Sequence, residues 1–194
     1  MTGPGDPDPA AATAVSMALP SDWYIVVPAP PGGGRGEPDA DAGLGEVLAG
    51  LWARAASADV VFSACGALGG AGRPTAAGGV VVAVRAALEA GSLHGAASRL
   101  ETADPGCRPQ QEVCRLPMAG PAARLAWTPA AGPDHRRVAC AEYYVPFPAE
   151  ERVAVVGCAA VGTEEPESMF AYLDGLAGTL CFVEAISPAA GTAR

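Results

Sequence analysis

The sequence predicts an α+β domain, a mainly antiparallel sheet of about six to seven strands with helices packed over its faces. Three observations predict it. Half of the 194 residues are apolar, enough for one substantial core. Residues 111–118, 122–128, 137–146 and 152–160 are four consecutive strand-length runs, separated by the turn-rich stretches LPMAGPA, TPAAGPD and FPAEE. Consecutive strands at that spacing read as an antiparallel meander. An amphipathic helix over 166–180 then closes the run.

Residues 1–18 mix Pro, Gly, Ala and Asp without periodicity and read as a disordered arm, with Met17 of MALPSDW a second candidate start. Residues 23–27 (WYIVV) are β-branched and aromatic, end at Pro28, and read as the first strand. The Pro/Gly/Asp-rich stretch 28–43 reads as a long loop. Over 44–56, Leu44, Val47, Leu48, Leu51, Trp52 and Ala55 recur at spacings of three and four, which predicts a helix lying on the sheet.

Residues 59–67 and 79–87 are strand-like and flank the turn-rich GGAGRPTAAG, so a hairpin with a long tip is expected. A short helix is predicted over 93–100, weakened by Gly95. The closing helix carries Pro166 in its first turn and Glu164, Glu165 and Glu167 at its positive end. Met169, Phe170, Leu173, Leu176, Ala177 and Leu180 form its apolar face. Residues 19–186 are thus expected to be a single α+β domain, with a frayed tail over 187–194.

Charge and composition exclude several classes. The net charge is −9, and all twelve basic residues are arginine, which with abundant alanine looks like GC-rich coding. Such a field repels phosphate backbones and anionic surfaces, so no nucleic-acid partner is expected. No stretch reaches the roughly 18–20 continuous apolar residues of a membrane span. The N-terminus is acidic where a signal peptide is basic, and a cytoplasmic protein with reduced cysteines is expected.

LPSDW at 19–23, LPMAGPAARLAW at 116–127, AEYYVPFP at 141–148, RVAVVGCAA at 152–160 and SMFAYLDGLAGTLCFV at 168–183 resemble the PsbP-like fold family, which includes actinobacterial LpqN-type proteins. The resemblance spans most of 19–184. It implies an α/β/α sandwich that acts by binding other proteins and has no shared catalytic site. The chain departs from the LpqN type in carrying no lipobox.

The six cysteines show no CxxC pair, so no metal site is expected. Cys140, Cys158 and Cys181 stand alone in apolar contexts and read as small core residues. Cys107 and Cys114 flank a polar turn and form a candidate reversible redox pair. His94 and His135 have no ligand partner at helical or hairpin spacing, and a Cys107–His135 nucleophilic pair lacks any orienting third residue. The glycine-rich segments 32–36 and 66–75 lack the Lys and Ser/Thr of a phosphate loop.

No cofactor and no catalytic residue is therefore assigned. The candidate binding residues are aromatic: alternation sends Tyr143 and Tyr144 to opposite faces of one strand. One of them, with Phe147, Arg136 and Arg137, forms a candidate protein-binding patch, since Tyr and Arg are enriched in interface hot spots. The expected function is a non-catalytic accessory or protein-binding module with an unknown protein partner. The alternative is a small-molecule-binding or enzymatic domain with its pocket between sheet and helix.

Overall fold

The computed structural model describes residues 13–26, 49–51, 53, 59–68, 76–87, 93–129, 136–163 and 165–184. The chain is α+β, as its sequence predicts. Its elements in order are β1 (Thr13–Ser16), β2 (Tyr24–Val26), β3 (Asp59–Leu68), β4 (Ala76–Ala86), α1 (Leu93–Ala103), β5 (Gln110–Leu116), β6 (Gly120–Trp127), β7 (Arg137–Pro146), β8 (Arg152–Gly162), α2 (Pro166–Ala177) and β9 (Cys181–Glu184). Residues 49–51 and 53 are helical, within the helix expected over 44–56, whose remainder lies outside the described residues.

Seven strands form one sheet in the order β2-β3-β4-β8-β7-β6-β5, every pair antiparallel. The expected hairpin β3–β4 and the meander β5 to β8 are both present, and β8 joins them by pairing with β4. The long central strands are rich in Val and Ala because both of their faces are covered. A register shift at Val60/Phe62 marks a bulge near the start of β3.

Alternation divides the sheet residues between two cores. On one face Ala139, Ala141, Tyr143, Val145 and Phe147 meet Met169, Leu173, Leu176 and Ala177 of α2. The small side chains on β7 and β8 let that helix settle close to the sheet. On the other face Val138, Cys140, Leu125, Trp127 and Val81 meet Ala96 and Ala97 of α1, together with Leu51. Gly157 of β8 leaves the room that Leu51 fills, since a Cβ there would lie 3.2 Å from the leucine.

Trp23 anchors the β2 edge. Its indole N–H donates to the Ala67 carbonyl at 3.0 Å, and its ring occupies the space where a Cβ on Gly66 would come within 2.4 Å. Trp23 itself precedes the strand, which is Tyr24–Val26, shorter than the expected 23–27.

α2 starts at Pro166, whose missing N–H costs nothing at that position, and ends one turn earlier than the expected Leu180. Gly178, Thr179 and Leu180 close it by donating backbone N–H groups to Asp174, Leu176 and Ala177.

Two short strands depart from the sequence reading. Thr13–Ser16, inside the arm expected to be disordered, pairs antiparallel with Cys181–Glu184 as a separate two-stranded sheet. Val15 and Phe182 pack onto the α2-side core, and Phe182 stacks on Phe147 at 4.6 Å between centroids. Arg152 holds the strand from beneath, donating to the Thr13 carbonyl at 3.1 Å while lying 4.4 Å over the Phe147 ring. Burial of these few side chains orders a segment whose composition alone does not.

Candidate functional site

The two faces of β6 and β7 each carry a polar constellation. On the α2 face, strand register aligns Glu112 of β5, Arg124 of β6 and Tyr143 of β7 in one row. α2 lowers Asp174 and Phe170 onto that row. Arg124 Nε donates to Asp174 Oδ1 at 2.8 Å, Nη2 reaches Oδ2 at 3.3 Å, and Nη1 donates to Glu112 Oε1 at 2.8 Å. The guanidinium lies 5.3 Å from the Phe170 ring centroid, and the Tyr143 hydroxyl donates to Asp174.

Arg124 is 8% exposed, so its charge would be costly without these partners. Burial opposes the Arg124 charge, but the bonds to Tyr143 and Asp174 outweigh it and raise its pKa. Burial raises the pKa of Tyr143 far above the usual phenol range, with Cys158 and Asp174 adding to it. Cys114, on the same face, is raised by burial and by Glu112. At neutral pH the row therefore holds a charged guanidinium, a neutral phenol and a neutral thiol. It lacks the thiolate that cysteine chemistry requires.

On the α1 face, the Tyr144 hydroxyl donates to Glu142 Oε2 at 2.8 Å. Glu142 is 6% exposed. Burial and Glu142 push the Tyr144 pKa up, while Arg85 and Arg99 pull it down. With its hydroxyl engaged, the half-buried Tyr144 presents its ring to an open groove of about 300 Å³. Leu93, Val113, Pro121, Pro146 and Val153 line it together with three alanines, and the groove runs beneath the start of α1 to the β5 edge. A second depression of about 380 Å³, lined by Arg108, Trp127 and Phe170 among others, is more polar.

The predicted binding residues do not share a surface. Alternation is correct in separating Tyr143 from Tyr144, but Tyr143 is 1% and Phe147 3% exposed, both in the α2-side core. The expectation that Phe147 belongs to a surface patch is corrected by its stacking under Phe182. Arg136 and Arg137 stand at the opposite end of β7 from Tyr144, and Arg137 is ion-paired with Glu165, which lowers the Glu165 pKa. Tyr144 alone of the five faces the groove.

The redox pair is not assembled either. All six cysteines are unbridged, with Cys107 buried in the α1-side core and Cys114 packed on the α2 side. The two thiols therefore belong to cores on opposite faces of the sheet, whatever their nearness in sequence. His94 is exposed on α1, and His135 lies outside the described residues. Among the described residues no three His, Cys, Asp or Glu side chains are grouped to hold a metal ion. No described helix is long and apolar enough to cross a membrane.

Sequence reasoning missed the Arg124 row and the groove. The signal for the first was present: an arginine inside the apolar strand GPAARLAW and an aspartate inside the apolar helix PESMFAYLDGLA.

No family model matches the sequence, and no curated protein matches it. Among solved structures, the chain is similar to LpqN, described as involved in cell envelope biogenesis of Mycobacterium tuberculosis. The TM-score is 0.47 with 13% identity, covering 92% of this chain and 87% of LpqN.

Proposed function

We propose that the chain is a non-catalytic module that binds an apolar segment of another protein in the groove over Tyr144. The observation that carries the reading is the groove itself: apolar, open along one side, floored by a tyrosine ring, and continuous with a sheet edge. Tyrosine contributes a large rigid contact at little entropic cost, which is why it recurs in interface hot spots. The Tyr144 hydroxyl is bonded to Glu142 and no charged side chain lines the groove among the described residues, which supports a binding role over a catalytic one. The unbridged cysteines fit a reducing, cytoplasmic location.

A small-molecule ligand is the second reading. It is favoured by a volume within the ligand-pocket range of roughly 300–1,000 Å³, at its lower end. Affinity capture from the native host decides between them, using the wild-type chain, Tyr144→Ala, and Leu93→Asp. A protein captured by the wild-type chain and lost in both folded variants supports the proposal. A capture profile identical in all three refutes the groove as the docking site.

A further inference from the structure

We infer that the chain pairs with a second copy of itself along β5, extending the sheet across a two-fold axis at Val113. The inference rests on the β5 edge and does not depend on what occupies the groove. Among the described residues β5 ends the strand order and is bonded to β6 alone. Natural sheets blunt such edges with prolines, bulges, lysines or very short strands. β5 is only partly blunted, by Glu112 and Arg115 and by the flanking Pro109 and Pro117: it has no internal proline, lysine or bulge, it is seven residues long, QQEVCRL, and its register with β6 runs unbroken from Gln110↔Ala126 to Leu116↔Gly120. The opposite edge, β2, is three residues long.

Val113 stands at the centre of β5 and is 86% exposed, more than any other large apolar residue described. Its immediate neighbours in the strand are charged, polar or half-buried. An isologous antiparallel pair must centre on one residue, which then faces its own copy. Charge removes two of the possible centres. Centring on Glu112 sets two carboxylates opposite each other, and centring on Arg115 sets two guanidiniums opposite, both destabilising.

Centring on Cys114 puts Val113 against Arg115. Centring on Val113 puts valine on valine, Gln111 on Arg115, Glu112 on Cys114 and Gln110 on Leu116. No charge then meets its like, and Glu112 remains ion-paired with Arg124 in its own chain. Alternation keeps Gln111, Val113 and Arg115 on the groove face of both copies. The two grooves, each bounded by a Val113, then abut across the axis and form one bivalent apolar surface.

Sedimentation velocity on the full chain over a range of concentrations tests the pairing. A reversible dimer is expected for the wild-type chain, and Val113→Asp is expected to raise its dissociation constant about tenfold or more with an unchanged circular dichroism spectrum. Mild oxidation of Val113→Cys in a Cys114→Ala background is expected to give a covalent dimer, since directly opposed residues hold their Cβ atoms roughly 4.5–5.5 Å apart. Val61→Cys in the same background, exposed on β3, is expected to stay monomeric on a non-reducing gel. A wild-type monomer at all concentrations, or a dimer that survives Val113→Asp unchanged, overturns the inference. Groove variants such as Leu93→Asp leave β5 intact, so failure of partner capture and failure of dimerisation are separately observable.

Discussion

Replacing Arg124 with Met tests what fastens α2 to the sheet. Methionine retains much of the apolar stem under Phe170 but removes the fork that joins Asp174, Glu112 and the Tyr143 hydroxyl. Breaking a fully buried pair by deleting one partner costs about 3–5 kcal/mol, because the survivor is stranded without water. Here the survivors are half-exposed, the Asp174 side chain at 47% and Glu112 at 54%, so both regain hydration. The expected loss is therefore smaller, about 2 kcal/mol, equivalent to a fall in Tm of roughly 4–8 °C for a chain of this size.

Urea unfolding followed by tryptophan fluorescence measures the loss. Pairing the substitution with Asp174→Asn in a double-mutant cycle is expected to return a coupling of about 1 kcal/mol. Arg124→Lys should fall between wild type and Arg124→Met, since an ammonium cannot reproduce the bidentate geometry. A loss below about 0.5 kcal/mol, or independent effects of the two substitutions, would show that α2 is held by its apolar face alone.

Further expectations follow from the same contacts. Tyr143 and Tyr144 keep their protons in the folded chain to higher pH than in the unfolded chain. Their stabilisation is therefore complete below about pH 10 and is lost as pH rises beyond it, by about 1.4 kcal/mol per pH unit for each tyrosine. In chemical unfolding between pH 10 and 11, Tyr143→Phe should flatten that decline by one such step, and an unchanged slope would contradict the assignment. Gly66→Ala drives a methyl into the Trp23 ring and should cost about 1–3 kcal/mol with a shift in tryptophan emission. Phe147→Ala, which empties a site shared with Phe182 and Arg152, should cost about 3–5 kcal/mol, far more than a surface aromatic would. With a thiol reagent under native conditions, the half-buried Cys114 and Cys181 should react well before Cys65, Cys107, Cys140 and Cys158, and simultaneous reaction of all six would contradict the burial pattern.

The large sheet was legible because local chemistry defines it. Strand-length apolar runs and turn-rich connections are readable wherever neighbours in sequence are neighbours in space, as they are from β5 to β8. β1 and β9 were not, because Thr13–Ser16 is stabilised by a strand from the far end of the chain. The same limit governs the candidate site. Alternation separated Tyr143 from Tyr144, yet only the arrival of α2 over one face decides which ring is buried. Phe147 sits between prolines, a context that reads as surface, and it is Phe182 that covers it. Arg124 and Asp174 each look out of place in an apolar element, but fifty residues separate them, so neither announces the other.

The groove over Tyr144 is the surface proposed to bind another protein. Its most direct measurement is site-specific photo-crosslinking in the native host, with a benzophenone side chain at Val153 inside the groove and, separately, at Tyr172 on the exposed side of α2. A discrete protein adduct from position 153, absent from position 172 and abolished by Tyr144→Ala, is the predicted result. Equal labelling from both positions, or an adduct from 153 that Tyr144→Ala leaves intact, would contradict it.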